Sequence, residues 1–388
     1  LPINLTLTND RLLEGNETGT LNFGLVGSLG TVSGTHVLTL TDDEAAVIDF
    51  TAPSSLTNES VGTYSGAIGR MTISGTGTGP LAAEANVSVA IVDAAGSAGT
   101  PGDYTLTTSS LVFAANAPSP VDLPVSASIA NDVLIEDVES FSFGFGAISG
   151  AGALSAAGTH VVSIADNDLA QVAFAPGNDS VGEGAGSFSK PVVLTLTANG
   201  VGTASLQSAL LVPVSFTEGT ATEPEDFTLA TASVSFAAGS LNGATQNATA
   251  NLINDLISES SESFDLNLGN AFVTANITLG RSATAVTILD DDTPGVTVTQ
   301  SAGTTTVIEG GATDSYTLVL TSQPTSDVTI ALSPGTQLSV APTPLTFTSA
   351  NWNIAQTVTV TAVDDALVEG AHSGAIGQST SSSDLHYN

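Results

Sequence analysis

The chain has no cysteine, one methionine, one tryptophan and only four basic residues among 388. Without cysteine there are no disulfide staples and no thiolate metal site. Four Lys and Arg against 38 acidic residues leave a formal charge of −34. That sign excludes nucleic acid, whose binders need clustered cations, and it disfavours anionic membrane surfaces. No apolar run approaches the roughly 20 residues of a membrane helix, so no membrane insertion is expected within this segment. The four histidines (His36, His160, His372, His386) are scattered. No Ser/His/Asp arrangement has interpretable spacing, and an enzyme is not expected. The opening Leu1-Pro2-Ile3-Asn4 carries neither an initiator Met nor a secretory signal, which reads as a processed chain or a window cut from a longer one.

What is present repeats. A ten-residue acidic motif occurs as NDRLLEGNET, NDVLIEDVES, NDLISESSES and DDALVEGAHS, beginning at residues 9, 131, 254 and 364. Its fixed pair is Asp10/Glu14, Asp132/Glu136, Asp255/Glu259 and Asp365/Glu369. A second marker, TLTDDE, SIADND and TILDDD, begins at 39, 163 and 287, so both markers share a period near 124 residues. Units of that size are domains rather than solenoid turns. The expected division is 1–45, the later part of one unit; 46–168 and 169–292, two full units; and 293–388, a divergent unit lacking its closing strand. Linkers are nearly absent, since Asp168 runs directly into LAQVAFAP and Asp292 into TPGVTVTQ.

The local pattern is β throughout. Phe141, Phe143 and Phe145 alternate with small polar residues after one acidic motif, as do Phe264, Leu266 and Leu268 after the next and Leu21, Phe23 and Leu25 after the first. Period two puts one face inward. Runs such as VVLTLT, VTIAL and TVTVTAV are β-branched and separated by Gly, Pro, Asn and Ser turns. The fold class expected is all-β: tandem immunoglobulin-like antiparallel sandwiches, arranged as beads on a string.

Each acidic motif follows one strand and precedes another, so it is a loop at one end of a sandwich, and the second marker ends the last strand. Carboxylates about 4 Å apart repel by several kcal/mol at moderate dielectric, so cations are needed among them. Oxygen-only ligands without cysteine or clustered histidine suit Ca²⁺.

These residues resemble the Calx-beta domain, found in sodium–calcium exchangers and in long arrays in large bacterial surface proteins. The third unit carries the pattern most fully: Val181-Gly182-Glu183-Gly184, Gly219-Thr220, Asp226-Phe227, Val234-Ser235-Phe236, NDLISESSESF and ILDDD. The second matches with Gly99-Thr100, Asp103-Tyr104, Leu111-Val112-Phe113, NDVLIEDVESF and IADND. The resemblance implies calcium ligands from an early Glu, the Asp before the aromatic, the acidic loop and the terminal cluster. In the third unit these are Glu183, Asp226, Asp255, Glu259, Asp290, Asp291 and Asp292. In the second they are Glu59, Asp103, Asp132, Glu136, Asp166 and Asp168, with Asn167 in place of one acid. The first unit keeps Asp10, Glu14, Asp42 and Asp43. The fourth keeps Glu309, Asp365 and Glu369, without an Asp-aromatic pair or a terminal cluster, which puts calcium there in doubt.

The implied function is a calcium-stabilised structural segment of an extracellular, bacterial cell-surface protein or fibre: a spacer, adhesin or filament subunit. Its partners would be calcium ions and copies of itself, head to tail. The alternative is a calcium-sensing or ligand-binding module whose interdomain angle responds to Ca²⁺. The bland reading of the acidic loop is a fold signature that keeps its acids without metal. Gly182, Gly184 and Gly186 read as a loop before a strand rather than a phosphate cradle. His36 and His160, at equivalent places in their units, are expected to face solvent. Seven Asn-x-Ser/Thr sequons, among them Asn276, permit glycosylation.

Overall fold

The structure is a computed structural model that describes all residues except 1, 25–33, 95, 101, 271 and 273–275. Its regular secondary structure is nearly all strand, and no helix among the described residues is long and apolar enough to cross a membrane. The second unit is a sandwich of two five-stranded sheets. One sheet runs Ser110–Phe113, Val87–Ala94, Glu139–Ser149, Thr159–Ala165 and Ser54–Asn58 in spatial order. The facing sheet contains Ala45–Phe50, Thr63–Ser74 and Val121–Ile129. The third unit repeats the arrangement, with Asp179–Gly182, Ala283–Leu289, Glu262–Leu268, Leu210–Glu218 and Ser233–Phe236 forming the sheet after the acidic loop. The fourth has four strands in one sheet and three in the other.

Alternation makes these cores. Phe264, Leu266 and Leu268 are buried while Asp265 points to solvent, and Phe141 and Phe143 do the same in the second unit. The first unit departs from the expected pattern. Among the described residues its strands Glu17–Asn22 and Thr35–Leu40 pair only with each other, and Leu21 is half-buried and Phe23 exposed. Leu25 lies outside the described residues.

The joints are built by the acidic loops. Leu12–Leu13 pairs in parallel with Ala82–Ala83 of the second unit, and Leu134–Ile135 pairs with Ser205–Leu206 of the third. Each loop pushes one apolar side chain into the next unit: Leu13 belongs to the core of the second, and Ile135 to the core of the third. At the third joint the pairing shrinks to one bridge, Ile257 to Gln323, and the plug position holds Ser258. Backbones approach so closely that a Cβ on Gly77, whose φ is +124°, would lie 2.0 Å from the Asp10 carbonyl oxygen. Only glycine fits there.

Candidate metal centre

Local turn chemistry fixes the acidic loops before any ion is considered. In all four copies the motif Asp folds back on the chain: Asp10, Asp132, Asp255 and Asp365 each accept, through Oδ1, the N–H two residues on, at 2.7–3.0 Å. The first Asp of the terminal cluster then ties the loop down. Asp42, Asp166 and Asp290 accept through Oδ2 from the N–H of Glu14, Glu136 and Glu259, at 3.0, 2.8 and 2.7 Å. Their Oδ1 atoms accept the N–H two residues on, from Glu44, Asp168 and Asp292. Burial works upward on Asp42, but N–H bonds from Gly15, Glu44 and Glu14 outweigh it and hold the carboxyl below its usual range. These acids are scaffold as well as charge.

The Asp-aromatic pair has an equally local cause. Tyr104 stacks on Phe141 at 3.8 Å and Phe227 on Phe264 at 3.9 Å, all four rings buried. The anchored ring sets its neighbour, Asp103 or Asp226, at the acidic end.

Three overlapping groups form in the second unit. Glu59 joins Asp166 and Asp168, and also Asp132 and Glu136, while Asp103 joins Glu136 and Glu139. In the third unit Glu183 joins Asp291 and Asp292, and Asp226 joins Glu259 and Glu262. Within each group the ligand oxygens lie within 4.8 Å of one another. Glu139 and Glu262 are absent from the set inferred from sequence, although the repeat signals them: the ninth motif position reads Glu17, Glu139 and Glu262, then His372. Asp255 and Asp290 belong to no such group; Asp255 turns its own loop and Asp290 ties it. Among the described residues Asp10, Glu14, Asp42 and Asp43 form no such group either, nor do Glu309, Asp365 and Glu369. In the fourth unit Glu309 caps the Asp365 N–H at 2.8 Å, and Glu369 accepts from Gln337.

Among the described residues no Lys or Arg pairs with these groups. Arg70 pairs with Asp122 and Lys190 with Asp179, both away from these groups. Arg11 and Arg281 donate to carbonyls and neutral side chains. Burial, then the neighbouring charges led by Asp132, pushes Glu136 up to about 8. Burial also lifts Glu59 and Glu183 to about 7, each with acidic neighbours adding to the rise. Glu139 and Glu262 rise to about 7 by burial and by hydrogen bonding with Asp103 and Asp226. One oxygen each of Glu59, Glu139, Asp168, Glu183 and Asp292 is buried without a hydrogen-bond partner. Buried carboxylate oxygens without a donor, in an all-oxygen set, fit a hard divalent cation.

The next unit closes over this end. Gln207 donates to Glu136 Oε1 at 2.6 Å, and Asn276 donates to the Glu136 carbonyl at 2.9 Å and to Asp166 at 2.6 Å. The Asn276 amide, one of the permitted glycosylation sites, is therefore held in the joint. His160 departs from expectation too: it is buried rather than solvent-facing, because Ser55, Tyr64 and the Ala52 carbonyl bond it between strands.

The Calx-beta domain family matches twice, over residues 41–168 and 165–292. No curated protein matches the chain. Among solved structures, the tandem CBD12 from CALX1.2 is 18% identical over 63% of this chain and 99% of its own, with a TM-score of 0.27. The calcium binding domain CBD12 of CALX1.1 is 17% identical, covering 62% and 98%, at 0.28. The apo-form Calx CBD1 domain is 26% identical over 32% of this chain and 99% of its own, at 0.27. The family assignment rests on the double family match, not on these scores.

Proposed function

The chain belongs to the Calx-beta domain family, and from that premise we propose that it is a calcium-stabilised structural segment of an extracellular surface protein or fibre, acting as spacer, adhesin stalk or filament subunit. Residues 1–45, 46–168, 169–292 and 293–388 are the proposed units. The observation that carries the reading is the carboxylate groups at the acidic end of the second and third units, with buried oxygens that no donor among the described residues reaches. Glu59, Asp103, Asp132, Glu136, Glu139, Asp166 and Asp168 would hold calcium in the second unit. Glu183, Asp226, Glu259, Glu262, Asp291 and Asp292 would hold it in the third. A bound cation supplies the positive charge that the chain's four bases do not. Because the acidic loop also plugs the next unit, an ion that fixes the loop fixes the joint. Contact between copies, head to tail, is the proposed protein partnership, at the surface of a bacterial cell. Thermal melting of the chain with calcium and with a chelator tests the reading: a clear loss of stability in chelator is expected, and unchanged melting sinks it.

One observation favours the second reading, a calcium sensor. Gln207 and Asn276 of the third unit bond the same carboxylates that would bind calcium in the second, so loading and joint geometry are coupled. Particle length followed through a calcium titration separates the two: a spacer stiffens at constant bend, whereas a sensor changes its bend.

A further inference from the structure

The second joint brings two amide side chains of the third unit onto carboxylates of the second, and the two are held differently. Asn276 Nδ2 reaches two acceptors at once, the Glu136 carbonyl at 2.9 Å and Asp166 Oδ2 at 2.6 Å. Turning that amide over forfeits both bonds, so Asn276 is fixed as a donor. Gln207 Nε2 reaches only carboxylate oxygens, Glu136 Oε1 at 2.6 Å and Glu139 Oε1 at 3.4 Å. Among the described residues its own Oε1 accepts no hydrogen bond. Both of its acceptors belong to one group of facing oxygens, completed by Asp103. Glu139 Oε2 is buried there without a partner. Glu136 also stands in a group with Glu59, a side chain only 5% exposed whose Oε2 is likewise buried without a partner.

The backbone delivers Gln207 to this place whichever way its amide points. The Gln207 N–H donates to the Ile135 carbonyl at 3.1 Å, directly after the parallel pairs Leu134 with Ser205 and Ile135 with Leu206. Gly200 lets the third unit come this close, since a Cβ there would lie 2.2 Å from the Asp132 carbonyl oxygen. The first joint repeats the register: the Glu84 N–H donates to the Leu13 carbonyl, also at 3.1 Å, so Glu84 holds the place of Gln207 beside Glu14. The third joint breaks it. There the Gln323 N–H donates to the Leu256 carbonyl at 2.6 Å, but two residues on the Thr325 N–H donates to Asp384 at 2.9 Å. The position that carries a long, oxygen-ended side chain at the first two joints is a threonine tied within its own unit at the third.

We propose that Gln207 is a calcium ligand of the second unit supplied by the third: on loading, its amide turns over and offers Oε1 to the ion held by Asp103, Glu136 and Glu139. The inference rests on the calcium reading given above. Without the ion the amide nitrogen is the favoured end, because it donates to two carboxylates. Once a cation takes those oxygens, a donor beside them faces positive charge and an acceptor is favoured. Amide carbonyls are ordinary calcium ligands, and a glutamine presents either end by rotation about one bond. A ligand bond of this kind runs across the joint. Gln207 therefore fastens the third unit to the loaded second unit, and docking of the third unit raises the calcium affinity of the second by the same factor. The group of Asp226, Glu259 and Glu262 receives no such ligand from Thr325, so its affinity should not depend on that position.

Calorimetric titration of calcium into the chelator-stripped full chain, unsubstituted and as Gln207→Ala and Gln207→Glu, tests the assignment. Gln207→Ala should weaken the second unit's binding about fivefold or more and leave the third unit's unchanged. Gln207→Glu, which places a charged oxygen there as Glu84 does at the first joint, should bind more tightly than Gln207→Ala and melt lower in chelator. A second readout separates a ligand from a bystander. The side-chain amide signal of Gln207 in a heteronuclear NMR spectrum, identified by its loss in Gln207→Ala, should shift on calcium addition as its bond to Glu136 is released. A Gln207 that stays a donor competes with the ion, so Gln207→Ala would then bind calcium as tightly as the unsubstituted chain or more tightly. That result, or an amide signal that calcium leaves in place, overturns the proposal while the calcium reading stands. A flat titration in the unsubstituted chain overturns both.

Discussion

Individual carboxylates differ in how far backbone N–H groups occupy their oxygens. Asp290 accepts the N–H groups of Glu259 and Asp292, whereas Glu262, among the described residues, stands in a group with Asp226 and Glu259 without a backbone N–H to its carboxyl. Asp290→Ala is therefore expected to lower melting even in chelator, by about 1–3 kcal/mol for the lost backbone bonds. Glu262→Gln should leave melting in chelator unchanged or raised, yet weaken calcium binding about tenfold or more. Paired melting and calorimetry on both variants checks this, and identical behaviour of the two contradicts the division. Titration adds a second expectation. Glu59, Glu139, Glu183 and Glu262 stand at about 7 and Glu136 at about 8, above the ordinary carboxyl value. Such groups favour the folded state while protonated, and that contribution is lost as pH rises through the folded value. In chelator, melting should fall between about pH 5 and pH 8. Calcium needs the ionised carboxylates, so the gap between calcium and chelator should widen over the same interval. A chelated protein that gains stability across that range is inconsistent with these burials.

At the scale of elements, the acidic loop is a joint as well as a cage. Ile135, only 4% exposed, sits in the core of the third unit although the second unit supplies it. Ile135→Ala should cost about 2–4 kcal/mol and loosen the second joint, seen as lost melting of the third unit in a scan that resolves units. Ser258 offers no such plug, so the third joint should be the most mobile, and Ser258→Ile should narrow the spread of bend angles there in electron micrographs. Part of this was legible in sequence. Alternation announced the strands around Phe141 and Phe264, and the fixed spacing of Asp132 and Glu136 announced a loop. Glu139 and Glu262 stand at a repeated position but outside the ligand pattern of the family. The plugging of Ile135 was not readable, because its partners Ser205 and Leu206 lie some seventy residues away and nothing local distinguishes a joint from a core strand. The burial of His160 is unreadable for the same reason: it depends on Ser55, brought in by parallel pairing across the unit, and on Tyr64 of the facing sheet.

For the molecule as a whole, the proposed reading makes a chain of charge −34 without cysteine depend for stability on cations rather than on disulfides. Raising monovalent salt should recover only part of what a chelator removes, since screening weakens repulsion without filling a coordination shell. The central claim is that the carboxylate groups of the second and third units take calcium. Calorimetric titration of calcium into the chelator-stripped full chain tests it most directly. The account predicts saturable binding at several sites, with part of the second unit's share lost in Glu136→Gln and part of the third's in Glu259→Gln. A flat titration in the unsubstituted chain, or full binding retained by the double variant, would contradict it.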